Sequence, residues 1–577
     1  MKTSVKLFLF FMMLFANATA QTPGWQWLSR VGGYSGNGNG GSGPDEWVKD
    51  VKTDVQGNVY VCGRVCYGAN FNGDTMTTYQ GYFTLFMAKL NCEGNLVWVR
   101  TAGIVGIGSA EAYGLALDDY GSIYLTGYIS ANQLSPCQFF DTLITEETHD
   151  FFLAKFDTSG NYKWAKIAGP GPGTLITKGF KIQITDDDMI NVSGIGSFSG
   201  IFFPGYNISL SWCFSARFDT SGNINRLQNL GSVYGPIMND YKISPTGDQY
   251  ITGFFYLDSM VIGDTVLYKP YNAICPTCCN LFLAKFDSTG LFQWARNIGD
   301  TVFSFNEGYG LSFFGSEILL VGGLNTTANI DGFSPINSLS TNIHMDVPFV
   351  ANFNTNGVCT WLTNSHHKYV TRATGGITTL SNGVSYFTGY FSGPAKFGTD
   401  SFASNVLTDI FLAEVSSSGV ITSGSKITSM VGGDEPQCIT HDSSGNVYVG
   451  GSNRSSLTLN GVTYPFQGGE SDGFIAKWGS SCTVGIAEQE HMPAEGLVLF
   501  PNPATAEINI QNKQQGITNI TVYDVVGKKI MSKRIMSKRI MSKELLVKID
   551  VSSFSPGMYI VKANGNGSMA TAKFVRE

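Results

Sequence analysis

The residues Phe-Leu-Ala-Lys-Phe-Asp-Thr-Ser-Gly-Asn-Tyr-Lys-Trp, numbers 152–164, decide the fold, because similar residues return along most of the chain. The pattern begins again at Phe282, and variants begin at Phe86, Phe214, Phe349, Phe411 and Phe474. Consecutive copies are separated by 66, 62, 68, 67, 62 and 63 residues. Such a period is typical of repeat architectures, in which each unit buries its apolar surface against the next.

A second motif alternates with the first and reads Asp-x-x-Gly-Asn-x-Tyr-x-x-Gly. It is clearest at residues 54–60 and 442–448, with weaker copies at 118–127, 184–194, 243–253, 311–322 and 379–389. Apolar residues alternate with period two on both sides of the Asp-Gly-Asn residues, which is typical of two strands joined by a turn. Each motif therefore predicts a β-hairpin, and two hairpins make one four-stranded sheet.

Seven such sheets predict an all-β, seven-bladed β-propeller, with six or eight blades as alternatives. The chain begins with Trp25-Gln-Trp27, which resembles the end of a repeat such as Trp164, whereas the last copy stops at Trp478. We therefore expect residues 25–31 to form the outer strand of the last blade and to pair with residues 474–478. The recurring Trp and Phe residues are interpreted as hairpin core and not as a sugar-binding platform, because they occupy the same repeat position each time.

Composition narrows the class of protein. Charged residues make up 14% of the 577 residues and aromatic residues 13%, with 69 glycines, whereas an average domain is about 25% charged. This balance favours a β-rich extracellular protein. The net charge of −7 argues against nucleic-acid binding, which needs a basic surface. No stretch after the first twenty residues is long and apolar enough to span a membrane.

The first twenty residues have the pattern of a secretory signal peptide. Lys2 and Lys6 precede an apolar run at residues 7–15, and small residues end at Ala20, so cleavage is predicted between Ala20 and Gln21. An exported chain meets an oxidising compartment, where some of the eleven cysteines can pair. The group at 275–279 resembles half a zinc site, and a local disulfide or simple packing is favoured there.

Composition changes after the propeller. The predicted domains are a signal peptide at 1–20, a propeller at 21–483, a polar linker at 484–496 and a small Ig-like β-sandwich at 497–577. Three tandem copies of Ile-Met-Ser-Lys-Arg/Glu occupy residues 530–544. A period of five matches neither a strand nor a helix. A duplicated hairpin tip is favoured over a basic finger that binds acidic glycans or the secretion machinery.

The propeller repeats resemble SBBP-type seven-bladed β-propeller repeats, with some likeness to NHL repeats, over residues 21–483. The Asp-x-x-Gly-Asn-Val-Tyr and Phe-x-Ala-Lys-Phe-Asp elements carry the resemblance. Blade 3 departs from the pattern, with Asp186-Asp187-Asp188 in its turn and no Trp after Gly222, and blade 5 departs with Gly315-Ser316-Glu317. Repeats of this kind occur in proteins of many functions, so the resemblance implies a fold and not an activity.

The tail closely resembles the type A sorting domain of the type IX secretion system. The matching residues are Pro501, Asn502, Pro503, Tyr523, Asp524, Gly527, Pro556, Gly557 and Tyr559. The resemblance implies that type IX machinery is a partner and that the protein reaches the outer cell surface or the medium. It also implies that the tail is removed, with the cargo released or linked to surface lipopolysaccharide.

No motif in the sequence predicts a catalytic residue, a cofactor or a metal. His366 and His367 are expected in a surface turn, His441 in a hairpin, and residues 186–188 in a solvated turn. Two function hypotheses remain. The first is a non-catalytic propeller that binds glycan, protein or matrix through variable segments such as 267–279, with Tyr268 and Tyr271. The second is a propeller-fold glycosidase or lyase, which needs two or three acids converging at the mouth of the ring.

Overall fold

The structure of the protein is a computed structural model. It describes residues 23–33, 45–79, 82–104, 106, 108–131, 134–144, 148–168, 177–196, 201–203, 206–208, 213–232, 236–269, 278–299, 305–339, 346–369, 371–404, 407–482, 497–512, 517–524, 529–534, 545–565 and 568–576. The chain divides into two compact units between Cys482 and Thr483. The ordered elements within these ranges are strands, and none of the described residues is helical.

The first unit is a propeller of seven blades, in each of which four antiparallel strands follow one another from the inside of the ring outwards. Blade 1 contains Trp47–Thr53, Val59–Val65, Thr84–Leu90 and Leu96–Ile104. Blade 2 contains Ser109–Leu117, Ser122–Ala131, Thr148–Asp157 and Tyr162–Ala168. Blade 3 contains Lys178–Ile184, Ile190–Ile195, Cys213–Phe218 and Ile224–Ser232. Blades 4 and 5 contain Pro236–Ile243, Gln249–Phe255, Asn280–Phe286 and Phe292–Ile298; and Glu307–Phe314, Glu317–Asn325, Asp346–Phe353 and Cys359–Asn364. Blade 6 contains Thr371–Arg372 with Ile377–Thr379, then Ser385–Phe391, Asp409–Val415 and Ile421–Ser429.

Blade 7 joins the two ends of the propeller sequence. Its strands are Glu435–His441, Val447–Asn453, Asp472–Gly479 and, as the outer strand, Gly24–Gly32. Trp25 lies opposite Trp478, and Val31 lies opposite Gly473. The first strand of blade 7 also contacts that of blade 1, as each blade contacts the next around the ring. The prediction that the N-terminal strand completes the last blade is confirmed.

A disulfide lies across the same seam. Cys92, in the second turn of blade 1, is bonded to Cys482, which follows the third strand of blade 7. Cys278 is also disulfide-bonded, whereas Cys275 lies outside the described residues. Other cysteines are free thiols and buried, namely Cys62, Cys66, Cys137, Cys279, Cys359 and Cys438.

Turn chemistry explains the Asp-x-x-Gly-Asn-x-Tyr motif. The carboxylate of Asp54 accepts the backbone N–H groups of Gln56 and Asn58 at 3.0 and 2.9 Å and the Tyr60 hydroxyl at 3.0 Å. Asp442 repeats these contacts in blade 7, where the Tyr448 hydroxyl donates at 2.9 Å. The Asp therefore ties the turn to the first residues of the second strand, where the Tyr ring is buried.

The core lies between successive blades. One hydrophobic cluster combines Tyr60 and Leu85 of blade 1 with Leu115 and Phe152 of blade 2, all fully buried. The Trp residues pack against this core, as predicted, and also join neighbouring blades. Trp98, in the outer strand of blade 1, packs on the turn glycine of blade 2 and donates its indole N–H to the Thr158 carbonyl at 3.1 Å. Similar bonds join Trp27 to the Cys92 carbonyl and Trp294 to the Thr355 carbonyl.

Segments between the second and third strands extend neighbouring blades. In four blades this segment forms a hairpin that pairs with the outer strand of the preceding blade. The four hairpins are Asn70–Phe71 with Asp74–Thr75, Cys137–Phe139 with Thr142–Ile144, Ser259–Ile262 with Thr265–Tyr268, and Leu457–Leu459 with Val462–Tyr464. The hairpin Pro394–Phe397 and Asp400–Ala403 pairs with His366–His367, and Ile201–Phe203 pairs with Tyr206–Ile208. The four hairpins cover edges that would otherwise expose unpaired backbone groups.

The second unit is a two-sheet β-sandwich. One sheet contains Leu497–Phe500, Glu507–Asn512 and Leu545–Asp550. The other contains, in spatial order, Lys529–Arg534, Ile517–Asp524, Gly557–Gly565 and Ser568–Arg576. Its core includes Ile508, Val522, Val561 and Phe574. The first Ile-Met-Ser-Lys copy lies in the strand Lys529–Arg534, and the later copies lie outside the described residues.

Candidate functional site in the central channel

A glycine in the second strand of every blade faces the first strand at very short range. The seven are the last residues of the Tyr-x-x-Gly pattern and its variants: Gly63, Gly127, Gly194, Gly253, Gly322, Gly389 and Gly451. A Cβ added to any of them would meet a first-strand carbonyl oxygen at well under 3.0 Å, a distance that real Cβ atoms essentially never show. Only glycine therefore fits opposite the first strand at this position.

The close approach results from a β-bulge. In six blades the register shifts opposite this glycine, so that one extra residue is inserted in the first strand: Lys49, Tyr113, Phe180, Asn239, Tyr309 and Gln437. In blade 6, Thr374 lies in the break between two short strands. A bulge redirects the side chain of the extra residue. We call these seven the bulge residues.

All seven bulge residues line one cavity of about 500 Å³ on the axis of the ring. Ile237, Met238 and Glu435 also line it. The bulge residues supply three aromatic rings, two carboxamides, one hydroxyl and one amine. This volume lies within the usual range of small-molecule sites, which combine apolar walls with a few polar groups.

Two Arg–Glu–Tyr groups hold tyrosines of this cavity in place. In the first, Glu111 accepts the Tyr113 hydroxyl at 2.8 Å and the Arg64 guanidinium at 2.9 Å. In the second, Glu307 accepts the hydroxyl of Tyr309 and the guanidinium of Arg372, the latter at 3.3 Å. Burial, and then the adjacent Glu charge, raise the pKa of both phenols, so both stay protonated donors.

Lys49 and Glu435 are the charged side chains of the cavity that form no ion pair within 4.0 Å among the described residues. The Lys49 ammonium lies 3.5 Å from the centroid of the Trp47 ring, a cation–π geometry. Burial and then the charge of Arg64 lower the pKa of Lys49 to about 7. Burial raises the pKa of Glu435, and the charge of Lys49 opposes that rise.

The channel narrows toward the end that carries the Asp-x-x-Gly turns. A smaller cavity of about 230 Å³ is lined there by Asp50, Lys52, Lys181 and Asp240. Asp50 accepts the Leu115 N–H of the next blade at 2.9 Å and pairs with the Lys52 ammonium at 2.6 Å. Asp240 accepts the Leu311 N–H at 2.8 Å in the same way. These carboxylates brace neighbouring blades, and their charges are already matched.

The candidates that the sequence offered lie elsewhere. His366 and His367 form a short strand, not a surface turn, and His367 is fully buried with a pKa lowered by burial to about 4. His441 bonds the Thr378 hydroxyl at 2.7 Å between blades 6 and 7. Among the described residues, no group of three or more His, Cys, Asp or Glu side chains is placed to hold a metal ion. Tyr268 lies in a hairpin at the outer rim, and Tyr271 lies outside the described residues.

The tail motifs converge on the last strand of the sandwich. The Asn502 side chain accepts the Val575 N–H at 2.9 Å, and Met558 pairs opposite Val575. The Tyr559 ring is buried and its hydroxyl donates to the Ser555 carbonyl at 2.7 Å. Pro501, Pro503, Pro556 and Gly557 are exposed, Tyr523 and Asp524 are half-buried, and Gly527 lies outside the described residues.

Residues 498–577 match the family described as the secretion system C-terminal sorting domain. This sorting domain directs the protein through type IX secretion, so the protein is exported to the cell surface or the medium. No helix within the described residues is long and apolar enough to cross a membrane. Comparison with curated proteins gave no match.

Solved structures similar to this chain include propellers of low identity. The Neurospora crassa Pan2 WD40 domain is 8% identical, with 75% of this chain and 89% of that chain covered and a TM-score of 0.37. A Synechocystis apocarotenoid oxygenase is 9% identical, with 75% and 94% covered and a TM-score of 0.34. A Bacteroides caccae protein of unknown function is 9% identical, with 58% and 93% covered and a TM-score of 0.28. Likenesses this low say nothing about ligands or chemistry.

Proposed function

We propose that the exported propeller is a non-catalytic binding protein that holds a saccharide in the cavity formed by the bulge residues. One observation carries the proposal. Every blade places a side chain in the same cavity at the same point of its first strand, yet the seven side chains are of six types. The glycine and the bulge recur as the fold requires, whereas the side chains at the bulge are free to be selected for a ligand.

The chemistry of the cavity favours a saccharide. The rings of Tyr113, Phe180 and Tyr309 offer faces on which the C–H surface of a sugar can pack. The carboxamide of Asn239 donates to the Gly308 carbonyl at 2.8 Å and keeps a second N–H and an acceptor oxygen. Together with the carboxamide of Gln437 it offers donors and acceptors that match vicinal hydroxyl groups. A protein delivered outside the cell meets glycans there.

The charge pairing supports binding over hydrolysis. A glycosidase uses two carboxyl groups that flank the scissile bond. Glu111 and Glu307 are each already bonded to a guanidinium and a phenol. Glu435 is the acid of the cavity without an ion pair among the described residues, so a second catalytic carboxyl is missing from this part of the chain. Hydrolysis by a glycosidase or lyase stays the alternative hypothesis.

We also propose a repeat class for the propeller, a signal peptide at the start of the chain and removal of the tail. We assign residues 21–483 to the SBBP-type, NHL-like repeat class and residues 1–20 to a signal peptide cut after Ala20. The sorting domain is then removed, and the propeller is released or linked to surface lipopolysaccharide. The resemblance of the repeats and the pattern of the first twenty residues support these assignments.

A glycan array with the full-length mature protein, followed by calorimetry on the best ligand, tests the proposal. Phe180→Ala and Asn239→Ala should each weaken binding by about tenfold or more. Tyr268→Ala is the matched control, because it removes an aromatic ring that is 67% exposed at the outer rim. Loss of binding in the control, with both channel variants unaffected, would place the site at the rim. Release of shorter saccharides from the ligand would establish the enzyme hypothesis instead.

A further inference from the structure

Blades 3, 5 and 6 depart from the repeat at one row of side chains across their strands, and blade 3 is the one that lacks both aromatic rings of the row. In blades 1, 2 and 4 the row contains Tyr, Lys and Trp in its second, third and fourth strands, which pair directly, as in Tyr60–Lys89–Trp98. In blade 3 the same register positions hold Asn191, Arg217 and Arg226. Two aromatic rings are therefore replaced by an amide and a guanidinium.

The replacement opens a pocket. A cavity of about 560 Å³ lies on the turn side of blades 3 and 4 and is lined by Asn191, Arg217 and Arg226. Thr185 and Asp187 of the blade 3 turn and residues 243–247 of the first turn of blade 4 complete its polar lining. In blades 1, 2 and 4 the Tyr and Trp rings of this row lie 6.1 to 6.3 Å apart, centroid to centroid.

Arg226 keeps the structural contact of the tryptophan that it replaces. Its guanidinium donates to the Ser288 carbonyl of blade 4 at 2.9 Å. Trp98 and Trp294 donate to the corresponding carbonyls of their next blades at 3.1 and 3.0 Å. One N–H of Arg226 thus holds the blades together, and its other donors are not needed for that contact.

The two guanidiniums are incompletely neutralised. Arg217 pairs with Asp187, whose side chain is 57% exposed, and the Arg217 Nε atom is buried without a hydrogen-bond partner. Arg226 has no carboxylate within 4.0 Å among the described residues. Burial is the main cause that lowers the pKa of Arg226, as expected for a cation that lacks a close counter-ion.

We propose that this pocket binds a carboxylated sugar, with Arg226 and Arg217 holding the carboxylate. The planar fork of a guanidinium matches a carboxylate in a bidentate arrangement. Asp186 and Asp187 line the same pocket and disfavour doubly charged ligands such as phosphate monoesters, while they accept hydrogen bonds from sugar hydroxyls. Hydroxyl groups of Thr185, Ser244 and Thr246 add donors and acceptors.

This site is separate from the channel. The residues lining the pocket include none of the bulge residues. This proposal rests on the export of the protein and not on the proposed saccharide site in the channel, so either proposal can be refuted without affecting the other.

Binding of galacturonic acid oligosaccharides to the full-length mature protein, measured by calorimetry and by ligand-observed NMR, tests the proposal. Galactose oligosaccharides of the same length are the neutral counterpart. We expect saturable binding of the acidic ligand, at least about tenfold weaker binding of the neutral one, and weakening as salt is raised. Absence of saturable acidic binding, or equal binding of both ligands, overturns the proposal.

Two variants locate the site. Arg226→Trp introduces the residue that blades 1, 2, 4, 5 and 7 have at this position and keeps a donor for the Ser288 carbonyl. It should abolish acidic binding without lowering the unfolding midpoint. Arg226→Gln should weaken it by about tenfold or more. Lys163→Gln is the matched control, because it removes one positive charge at a 47% exposed side chain of blade 2. Equal effects of Lys163→Gln and Arg226→Gln would indicate a diffuse charge effect and overturn the site.

Discussion

Two adjacent glycines of blade 5 offer a sharp test of the bulge geometry. At Gly322 an added Cβ would collide with the Glu307 carbonyl oxygen and lie 3.1 Å from the Gly308 Cα. At Gly323 the nearest atom to such a Cβ is the Phe305 carbonyl oxygen, at 3.9 Å. Neither glycine has a positive φ. Gly322→Ala and Gly323→Ala therefore add the same methyl group to the same strand, and only the first methyl group meets the bulge.

The expected effects differ in sign. Alanine restricts the unfolded chain in both variants, which stabilises by roughly 0.4–1 kcal/mol. Gly323→Ala should therefore be neutral or slightly stabilising. At Gly322 the obstacle is backbone, so relief requires displacement of the bulged strand, and overpacking of this kind costs about 1–3 kcal/mol. We expect Gly322→Ala to lie about 2 kcal/mol below Gly323→Ala in free energy of unfolding.

Urea unfolding followed by tryptophan fluorescence measures this difference. All nine tryptophans lie between residues 25 and 478, so the signal reports the propeller within the full-length protein. The comparison of two variants in one strand removes most of the uncertainty in the unfolded reference state. Equal stability of the two variants within about 0.5 kcal/mol would show that the bulge yields easily, and the account of the seven glycines would then be wrong.

Deletion of residues 24–32 from the full chain should lower the midpoint of the entire propeller transition, because it uncovers the edge of blade 7; an unchanged midpoint in urea would refute ring closure by this strand. Replacement of Cys92 and Cys482 by Ser should lower the midpoint as well, with about 6 kcal/mol as the upper figure for a separation of 390 residues. Dithiothreitol should lower the midpoint of the wild type more than that of the variant, which keeps the disulfide of Cys278. Burial raises the pKa of Asp434 to about 7, so the stabilisation that its protonated carboxyl contributes is fully present below about pH 4 and is lost as pH rises through 7. Asp434→Asn should therefore make the fall in the free energy of unfolding between pH 5 and pH 8 shallower than in the wild type. Removal of residues 497–577 should leave a folded propeller in the periplasm, and immunoblots that find it in the medium would contradict export by the tail.

Sequence reasoning reached the strands, the blade number and the ring closure because those features depend on local chemistry. Asp54 and Tyr60 lie six residues apart and contact each other within one turn, so a single motif contains both partners. The closing strand could be predicted because its Trp25-Gln-Trp27 residues keep the pattern of a repeat end. The structure contains both the turn contact and the pairing of the closing strand.

Contacts between repeats were harder to predict. Trp98 packs in the core as its motif predicts, but its indole also donates to the Thr158 carbonyl, sixty residues later. The edge-covering hairpins, such as Cys137–Phe139 with Thr142–Ile144, are short and differ in sequence from blade to blade, so periodicity gives no signal for them. One feature of the sequence does indicate the bulges. The last Gly of the Tyr-x-x-Gly pattern recurs in all seven blades of this chain, and a recurring Gly inside a strand marks a position where a side chain is excluded.

The same comparison separates structural positions from candidate binding positions. A side chain that faces the next blade must meet the same surface each time, so Tyr, Lys and Trp recur wherever the repeat is kept. A side chain that faces the channel lines the cavity instead, and the seven bulge residues there are of six types, with Tyr at two of them. Blades 5 and 6 each keep one ring of this row, Trp361 and Tyr386, whereas blade 3 has Asn191 and Arg226 where packing alone favours Tyr and Trp. Replacement of buried aromatic rings by polar groups lowers the stability of the blade. Binding of a polar ligand in the open, charged pocket is the function that we propose for this replacement.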